Sequence, residues 1–325
     1  MIKVENLKKT YETKVKKGFF KYERSHVEAV KNINMEIEKG QIVGLLGING
    51  AGKTTTIKML STLLLPTSGS ITLDGIDVAK NSMQVKRRLN MVAGGERMIY
   101  WRLTGRENLW YYGQIYGIEN DILSKRIDYL LDLVGITEKK DIAVENYSKG
   151  MKQRLQIARG LINNPDYIFM DEPTLGLDAV ISKELRNHVK RIACDEGKGI
   201  LLTSHYMAEI EELCDYVYIL DRGEVIATGT PKELASLGLK KKTIYLNIQS
   251  EKGEVGEKIL RACKLADNSS MVEYDGAEGT FIITSSEDLK TVVSKVCMDN
   301  RAVIYKLYEE EPRLEDAIIK LSKGA

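Results

Sequence analysis

The sequence has little of what builds metal clusters, disulfide frameworks or membrane spans. Its four cysteines are Cys194, Cys214, Cys263 and Cys297. Because no two of them form a C-x-x-C pair, neither a zinc site nor a disulfide framework is indicated, and reduced, mostly buried thiols in a cytosolic protein are expected. No apolar run approaches the ~18–20 residues that cross a bilayer, so another chain would have to cross any membrane. A signal peptide is not expected, since a strand-like segment begins at the first residues.

An excess of charge of one sign is missing too. Lysine and arginine total 48, aspartate and glutamate total 46, and the net charge is +2, so the chain as a whole has no attraction to nucleic acid. With 43% hydrophobic and 29% charged residues, the composition is typical of a soluble globular protein. The length of 325 residues suggests about two domains.

One local stretch, residues 14–24, interleaves basic and aromatic side chains. Two interpretations are open for it. It could contact an anionic lipid surface or a membrane partner. It could instead be a solvated loop between two edge strands, which is the interpretation we favour.

Residues 47–54 match the phosphate-loop pattern G-x-x-x-x-G-K-[ST] without a mismatch. The apolar run 41–46 predicts a buried strand before the loop, and residues 55–65 predict a helix after it. The glycines allow backbone N–H groups to point at a polyphosphate, and the helix dipole faces the same anion. Lys53 is predicted to reach the β- and γ-phosphates, and the Thr54 hydroxyl to ligate Mg²⁺. The residues assigned to nucleotide binding here are Gly47, Asn49, Gly50, Ala51, Gly52, Lys53, Thr54 and Thr55.

A second apolar run, residues 167–170, is followed by Asp171 and Glu172. This pattern predicts a buried parallel strand with Asp171 at its carboxyl end, where ligands bind in open α/β sheets. Residues 201–205 predict another such strand, ending at His205. Residues 216–229 predict a closing hairpin turned at an Asp-Arg-Gly sequence.

Between these parts lies a predicted helical insert of about residues 100–160. Residues 104–107 form a capping box that opens a helix through about Tyr116, and residues 121–134 and 138–144 are further amphipathic stretches. Four large side chains of the first helix are expected to pack within the insert rather than to form a ligand cage. They are Trp110, Tyr111, Tyr112 and Ile115.

The character of the sequence changes at residue 238. Strand-like and helix-like segments alternate from there to the end, without a catalytic constellation. We therefore predict a nucleotide-binding domain at 1–237 and a small α+β accessory domain at 238–325. A structural or dimer-stabilising role is favoured for the accessory domain over a ligand-sensing one, because it lacks polar clusters.

Five motifs occur in an order that resembles the ATP-binding cassette (ABC) proteins. They are the phosphate loop, residues 147–153 in place of the LSGGQ signature, Asp-Glu-Pro-Thr at 171–174, Gly-Leu-Asp at 176–178 and Thr-Ser-His at 203–205. The resemblance covers roughly residues 2 to 230. It implies an α/β fold, a phosphate-loop NTPase sheet with an antiparallel β edge and a helical insert, followed by the α+β domain.

The subgroup is similar to the drug-resistance or sodium-efflux ATPases that serve ABC-2 class permeases. The Ser-Lys-Gly-Met form of the signature at 148–151 indicates this subgroup. The tail sequence at 312–317, Pro-Arg-Leu-Glu-Asp-Ala, is also similar to a segment common in it.

The resemblance implies a role for each matched residue. Asp171 would hold Mg²⁺ through water, as a hard cation prefers oxygen ligands, and Glu172 would polarise the attacking water as general base. His205 would contact the γ-phosphate. Tyr11 would stack on adenine, although an ordinary packing tyrosine is the alternative.

Other implied roles involve a second subunit and a missing residue. Ser148 and Gly150 stand at a helix start and would bind the γ-phosphate of the opposite subunit, so two copies arranged head to tail are implied. Asp178 is assigned to the same nucleotide site. The family usually has a glutamine where Gly95 stands here, and we expect Glu96 to replace it as an oxygen ligand of Mg²⁺.

These expectations describe an ATP- and Mg²⁺-dependent ATPase subunit of an ABC-2 exporter, attached to the cytoplasmic face of the cell membrane through a separate permease. Residues 101–144 are the expected docking region for the permease.

A soluble cassette ATPase acting on DNA or ribosomes is disfavoured. The gap between Thr54 and Ser148 is too short for a coiled coil, and the chain has one cassette. A regulatory module that senses a ligand through residues 240–325 is a further alternative.

Overall fold

The computed structural model describes residues 1–16, 22–93, 98–204, 206–238, 242–249, 254–276, 278–310 and 313–323. The predictions for His205 and Glu96 therefore lie outside the described residues, as does Pro312 of the tail. The chain divides into two compact units, Met1–Pro231 and Lys232–Ala325. The predicted boundary lies six residues further along, at the end of a helix that starts at Pro231. The assignment of separate functional domains at 237/238 remains a prediction.

The secondary structure alternates strands and helices along the chain. The strands of the first unit are β1 Ile2–Lys16, β2 Tyr22–Ile37, β3 Ile42–Gly47, β4 Ser68–Leu73, β5 Ile76–Asp77, β6 Leu89–Ala93, β7 Tyr167–Asp171, β8 Gly199–Thr203, β9 Tyr216–Asp221 and β10 Glu224–Gly229. The helices are α1 Lys53–Leu60, α2 Ser82–Lys86, α3 Gly105–Ile115, α4 Asn120–Leu133, α5 Lys149–Gly160, α6 Ala179–Cys194 and α7 Met207–Leu213. The later elements are α8 Pro231–Gly238, β11 Lys242–Gln249, α9 Glu254–Ala266, β12 Met271–Asp275, β13 Thr280–Ser285, α10 Lys290–Asp299, β14 Val303–Glu309 and α11 Leu314–Lys323.

The first unit is built on one ten-stranded sheet in the order β5-β4-β1-β2-β10-β9-β3-β8-β7-β6. The strands around β3 are parallel, since β3 pairs with β8 and β9, and β7 pairs with β6 and β8. The other half is an antiparallel edge made by β1, β2, β4 and β5. The predicted fold class is confirmed, because a phosphate-loop sheet carries both an antiparallel edge and a helical insert.

The parallel strands are buried, as their apolar sequences predict. Each of β3, β7 and β8 is buried along almost its whole length, as expected for strands covered on both faces. The ends that the sequence predicts for these three strands lie within two residues of the observed ends. The carboxyl ends of β3, β7 and β8 therefore meet at one edge of the sheet.

Three predictions of local structure are wrong. The helix expected at 55–65 ends at Leu60, because Thr62 takes a left-handed conformation with φ of 62°. The loop expected at 14–24 is strand in its described parts, where Lys14 pairs with Arg24 and Lys16 pairs with Tyr22. The helix expected at 138–144 is replaced by short 3-10 turns at Thr137–Lys139 and Val144–Asn146.

The helical insert begins with the predicted capping box. The Thr104 side chain accepts a hydrogen bond from Glu107 N at 3.1 Å, and the Glu107 carboxylate accepts one from Thr104 N at 2.8 Å. The buried residues of α3 include Asn108 and Leu109. The expected packing of its large side chains is wrong in part, because Trp110, Tyr111 and Ile115 are exposed.

The second unit contains a four-stranded antiparallel sheet in the order β12-β13-β11-β14. The chain order β11-α9-β12-β13-α10-β14 with this strand order is the ferredoxin-like arrangement. A separate hydrophobic cluster joins the sheet to α9 and α10, including Leu246, Ile259, Phe281 and Val293. Cys263 and Cys297 lie in that cluster. Cys214 is also buried, and Cys194 is exposed.

Candidate functional site

The predicted phosphate loop connects the end of β3 to the start of α1. It borders a cavity of about 310 Å³. The cavity is lined by Ala29, Asn49, Gly50, Ala51, Gly52, Lys53, Thr54, Thr55, Asp171 and Glu172. The fold thus brings the loop and both predicted carboxylates, which are far apart in the sequence, to one site. Gly47 ends the strand that leads into the loop.

Two glycines of the loop are required by the close approach of neighbouring backbone. Gly47 has φ of 153°, and a Cβ atom there would lie 2.3 Å from the Leu220 carbonyl oxygen. Gly52 has φ of 105°, and its Cβ would lie 2.6 Å from the Ala29 carbonyl oxygen. Because no side chain fits at either position, the loop keeps its backbone N–H groups accessible to an anion.

Lys53 contributes the cation that lines this cavity. Its Nζ donates hydrogen bonds to the Gly47 carbonyl oxygen and, at 3.2 Å, to the Ile48 carbonyl oxygen. Burial lowers the pKa of Lys53, and the nearby carboxylates of Glu172 and Asp171 partly oppose that shift. A partly desolvated cation held by a glycine loop at a helix N-terminus is suited to a polyphosphate.

The two carboxylate residues are braced by the end of β8. The Thr203 hydroxyl donates a 2.6 Å hydrogen bond to Asp171 Oδ1. Glu172 N donates to the Thr203 carbonyl oxygen at 3.0 Å, and Glu172 itself has a left-handed φ of 51°. Such a conformation is costly for a residue other than glycine. Thr203 is a residue whose part in the site the sequence reasoning missed, although it stands first in the Thr-Ser-His motif.

The predicted signature residues lie in a different cluster. Ser148 caps α5 by accepting from Met151 N at 3.2 Å, and Asp178 caps α6 by accepting from Ile181 N at 2.9 Å. Gly150 packs so closely against Ile181 that a Cβ would lie 2.7 Å from its Cγ2. The starts of α5 and α6 are therefore adjacent. Neither Ser148, Gly150 nor Asp178 is among the described residues that line the phosphate-loop cavity.

Tyr11 lies on β1, near the rim of the site. It pairs with Val27 on β2, two residues from Ala29 of the cavity lining. The ring is 36% exposed, and Lys9 Nζ lies 5.5 Å from its centroid. An exposed ring at this edge is compatible with base stacking, and its role in binding adenine remains a prediction.

A groove of about 430 Å³ lies elsewhere in the first unit, beside the end of α3. Its lining residues are Ser61, Leu63, Met83, Lys86, Arg87, Leu89, Asn90, Met91, Met98, Ile115 and Tyr116. Several of its apolar side chains are more than half exposed, with Leu63 at 64%, Met83 at 72% and Ile115 at 61%. Sequence reasoning expected Ile115 to be a packing residue, which is wrong. It lines an open surface instead.

A ten-stranded mixed sheet, a phosphate loop that faces two carboxylates and a capped helical insert together define a nucleotide hydrolase of the ATP-binding cassette type. A family profile described as "ABC transporter" matches residues 30–175. The ABC transporter ATP-binding protein NatA of Bacillus subtilis (strain 168) is 42% identical over 215 residues, which are 66% of this chain and 87% of NatA. The linearmycin resistance ATP-binding protein LnrL of the same organism is 34% identical over 99% of this chain and 98% of LnrL.

Solved structures agree with these relatives. A dimeric, post-hydrolysis ATP-binding cassette, MJ0796 bound to ADP and Pi, matches with a TM-score of 0.60 and 25% identity. The match covers 71% of this chain and 98% of that one. The chain therefore belongs to the ATP-binding subunits of ABC transporters, which bind and hydrolyse ATP, form dimers and work with membrane permeases. Among the residues the structure describes, no helix is long and apolar enough to cross a membrane.

Proposed function

We propose that this subunit powers an ABC-2 type exporter from the cytoplasmic face of the cell membrane. Two copies close around Mg-ATP, and their closure and reopening move a separate permease. The relative LnrL supports export, since its name records resistance to linearmycin and its sequence matches nearly the whole chain. The signature variant and the tail sequence support an ABC-2 partner.

The observation that carries this proposal is the apolar groove beside α3, which shares Ile115 and Tyr116 with the expected docking region 101–144 and is otherwise lined by residues outside it. Exposed apolar surface bordered by polar residues is typical of a protein interface. Lys86 and Arg87 line the groove together with its apolar residues. An amphipathic segment of the permease with apolar side chains and an acidic residue would match this surface.

The groove is connected to the helical insert and to the core sheet. Met91 of β6 lines the groove, and its carbonyl oxygen accepts a 2.8 Å hydrogen bond from the buried Arg159. The Arg159 guanidinium also lies 5.2 Å from the ring centroid of Tyr112 on α3. A segment bound in the groove would therefore contact both α3 and β6, and movement of either would be passed to it.

Within one copy, the phosphate-loop residues would hold the nucleotide. Lys53 and the loop N–H groups neutralise the β- and γ-phosphates, and Tyr11 supports the adenine ring. Thr54 and Asp171 line the same cavity, and their oxygen atoms fit a hard divalent cation. Mg²⁺, when bound there, supplies neutralisation of phosphate charge. Glu96 remains the proposed additional oxygen ligand.

Hydrolysis is assigned to Glu172, which takes a proton from the attacking water. His205 is proposed to contact the γ-phosphate. Ser148, Gly150 and Asp178 would serve the nucleotide of the second copy, because their cluster does not line the cavity of their own chain. This arrangement makes each site complete only in the closed dimer.

The test is capture of the permease by tagged variants from detergent-solubilised native membranes with Mg-ATP. The Glu172→Gln protein, which should keep ATP bound, is expected to retain a polytopic membrane protein. Adding Ile115→Glu or Leu63→Glu should abolish that capture and leave ATP binding intact. The matched control is Leu265→Glu, because Leu265 is 90% exposed in the second unit.

Two results would refute the proposal. One is recovery of ribosomal or nucleic-acid components in place of a membrane protein. The other is equal capture by the groove variants and the Leu265→Glu control, because the groove would then not be the docking site.

A further inference from the structure

A buried carboxylate connects the two segments that follow β7 and β8. Glu209 of α7 is 2% exposed, and its Oε2 accepts hydrogen bonds from two hydroxyl groups. Thr174 Oγ1 donates at 2.9 Å, and Ser204 Oγ donates over a short distance. Thr174 and Ser204 are each 4% exposed. All three side chains thus form one enclosed polar cluster.

The cluster is adjacent in sequence to the proposed catalytic groups. Thr174 lies two residues after Glu172, and Ser204 directly precedes His205. The Ser204 hydroxyl also accepts from Tyr206 N at 3.0 Å, so it holds the backbone beyond position 205. Glu209 therefore joins the loop that follows the proposed base to the segment that carries the proposed γ-phosphate ligand.

Burial of the Glu209 carboxylate lowers the stability of the fold, so packing alone does not explain why a glutamate stands here. Glu209 Oε1 is buried and has no hydrogen-bond partner among the residues that the structure describes, and a buried carboxylate costs free energy unless it is fully paired. Burial raises the pKa of Glu209, and the hydrogen bonds from Ser204 and Thr174 offset only part of that shift. No ion pair to Glu209 occurs within 4.0 Å among the described side chains. An apolar side chain would fill the same space at lower cost.

We propose that Glu209 is a positioning residue for ATP hydrolysis, which fixes the loop after Glu172 against the end of β8 through Thr174 and Ser204. The inference rests on the proposed role of Glu172. Two acceptor hydrogen bonds on one oxygen set the distance between the two segments. The attacking water and the γ-phosphate contacts are thereby kept in one geometry.

The test compares substitutions at Glu209 in the full-length protein. Glu209→Leu removes both acceptor bonds, and kcat is expected to fall about 10- to 100-fold, as small misplacements of catalytic groups do. The dissociation constant of a fluorescent ATP analogue should stay unchanged. The thermal midpoint should change little, because removal of the buried carboxylate is offset by the two buried hydroxyl donors that lose their acceptor. Glu209→Gln keeps one acceptor oxygen and should restore most of kcat.

A double-mutant cycle separates positioning from packing. Thr174→Val removes one donor without changing shape, and combining it with Glu209→Leu should lower kcat no further than Glu209→Leu alone. The matched control is Glu212→Leu on the same helix, which loses an ion pair to Arg186 at 2.6 Å. Glu212→Leu should lower the thermal midpoint and leave kcat unchanged.

Each remaining outcome overturns the proposal. A Glu209→Leu protein with unchanged kcat would exclude positioning, as would additive effects of the two substitutions. A fall in kcat accompanied by equal losses in ATP affinity and thermal midpoint would indicate a structural residue. Glu172→Gln is measured in parallel. If that variant hydrolyses ATP normally, the proposed function fails and not only this inference.

Discussion

The Thr203 hydroxyl donates a 2.6 Å hydrogen bond to the Asp171 carboxylate, which joins the ends of two neighbouring parallel strands. The register of β7 and β8 places these residues opposite each other. Thr203 is fully buried, whereas its acceptor Asp171 lines the phosphate-loop cavity. One oxygen of Asp171 is thereby held, and the orientation of the other is set.

Thr203→Val keeps the shape of the side chain and removes this bond. We expect ATPase activity to fall about 10- to 100-fold, as is usual when the partner of a metal-binding group is lost. The Mg²⁺ concentration for half-maximal activity should rise. Thr203→Ser keeps the hydroxyl and should retain most of the activity. Steady-state ATPase assays across a magnesium titration measure both effects, and equal behaviour of the two variants would contradict the account.

Ser148 allows a test of the head-to-tail dimer. Ser148→Asp retains a good N-cap for α5, so the stability of the helix should be kept. The added carboxylate would face the γ-phosphate of the partner's nucleotide, and ATPase activity should be nearly abolished while ATP binding persists.

The control is Thr104→Asp, which exchanges the cap of α3 in the same way. It should leave hydrolysis unchanged. If both capping variants hydrolyse ATP equally well, Ser148 does not contact the nucleotide of the partner.

Arg88 makes the stability of the fold sensitive to acid. Its guanidinium forms ion pairs with both Asp74 and Asp166. Burial alone would raise the pKa of Asp166, but hydrogen bonds from Lys39 and Arg88 outweigh it and hold that pKa below the usual value of 3.8. The stabilisation is therefore complete above pH 3.8 and is lost as the pH falls below it.

Arg88→Met should lower the free energy of unfolding by about 1–2 kcal/mol at pH 7. The difference from the unsubstituted protein should shrink as the pH falls below 3.8. Urea titrations at several pH values measure this, with Arg102→Met on an exposed position as control. A difference that does not depend on pH would show that the ion pairs are not its source.

Gly47 should tolerate no side chain. Its Cβ would lie 2.3 Å from the backbone oxygen of Leu220, so Gly47→Ala must move β3 or β9. We expect the free energy of unfolding to fall by about 1–3 kcal/mol, as for overpacked cores, and ATP affinity to fall with it. Gly75→Ala is the control, because Gly75 also has positive φ but faces open space. If both variants lost the same free energy of unfolding, backbone strain alone would explain the effect, and the contact with Leu220 would not.

The parts of the fold that local sequence determines were predicted well. The strands ending at Gly47, Asp171 and Thr203 are continuous apolar runs, and the capping box at Thr104 is a short-range signal. The end of α1 was missed because the left-handed turn at Thr62 has no glycine or proline to mark it. The strand β12 has no clear signal in the sequence, because none of its residues is buried and apolar and polar residues do not alternate clearly along it.

The sequence predicts those residues of the site that belong to recognisable motifs. The phosphate loop, Asp171 and Glu172 carry recognisable patterns, and the structure brings them to one cavity. Thr203 contacts Asp171 across 32 residues of sequence, and Glu209 contacts Thr174 across 35. Such contacts depend on strand register and helix packing, which no local pattern in the sequence reveals.

Glu172 is proposed to be the general base for ATP hydrolysis in a dimer that the nucleotide closes. The most direct measurement is the mass and nucleotide content of the Glu172→Gln protein after gel filtration with Mg-ATP. We predict a stable dimer that holds one unhydrolysed ATP per copy, with turnover reduced about 100- to 10,000-fold, the usual contribution of a general base. A monomer without nucleotide, or turnover equal to that of the unsubstituted protein, would show that Glu172 does not have this role.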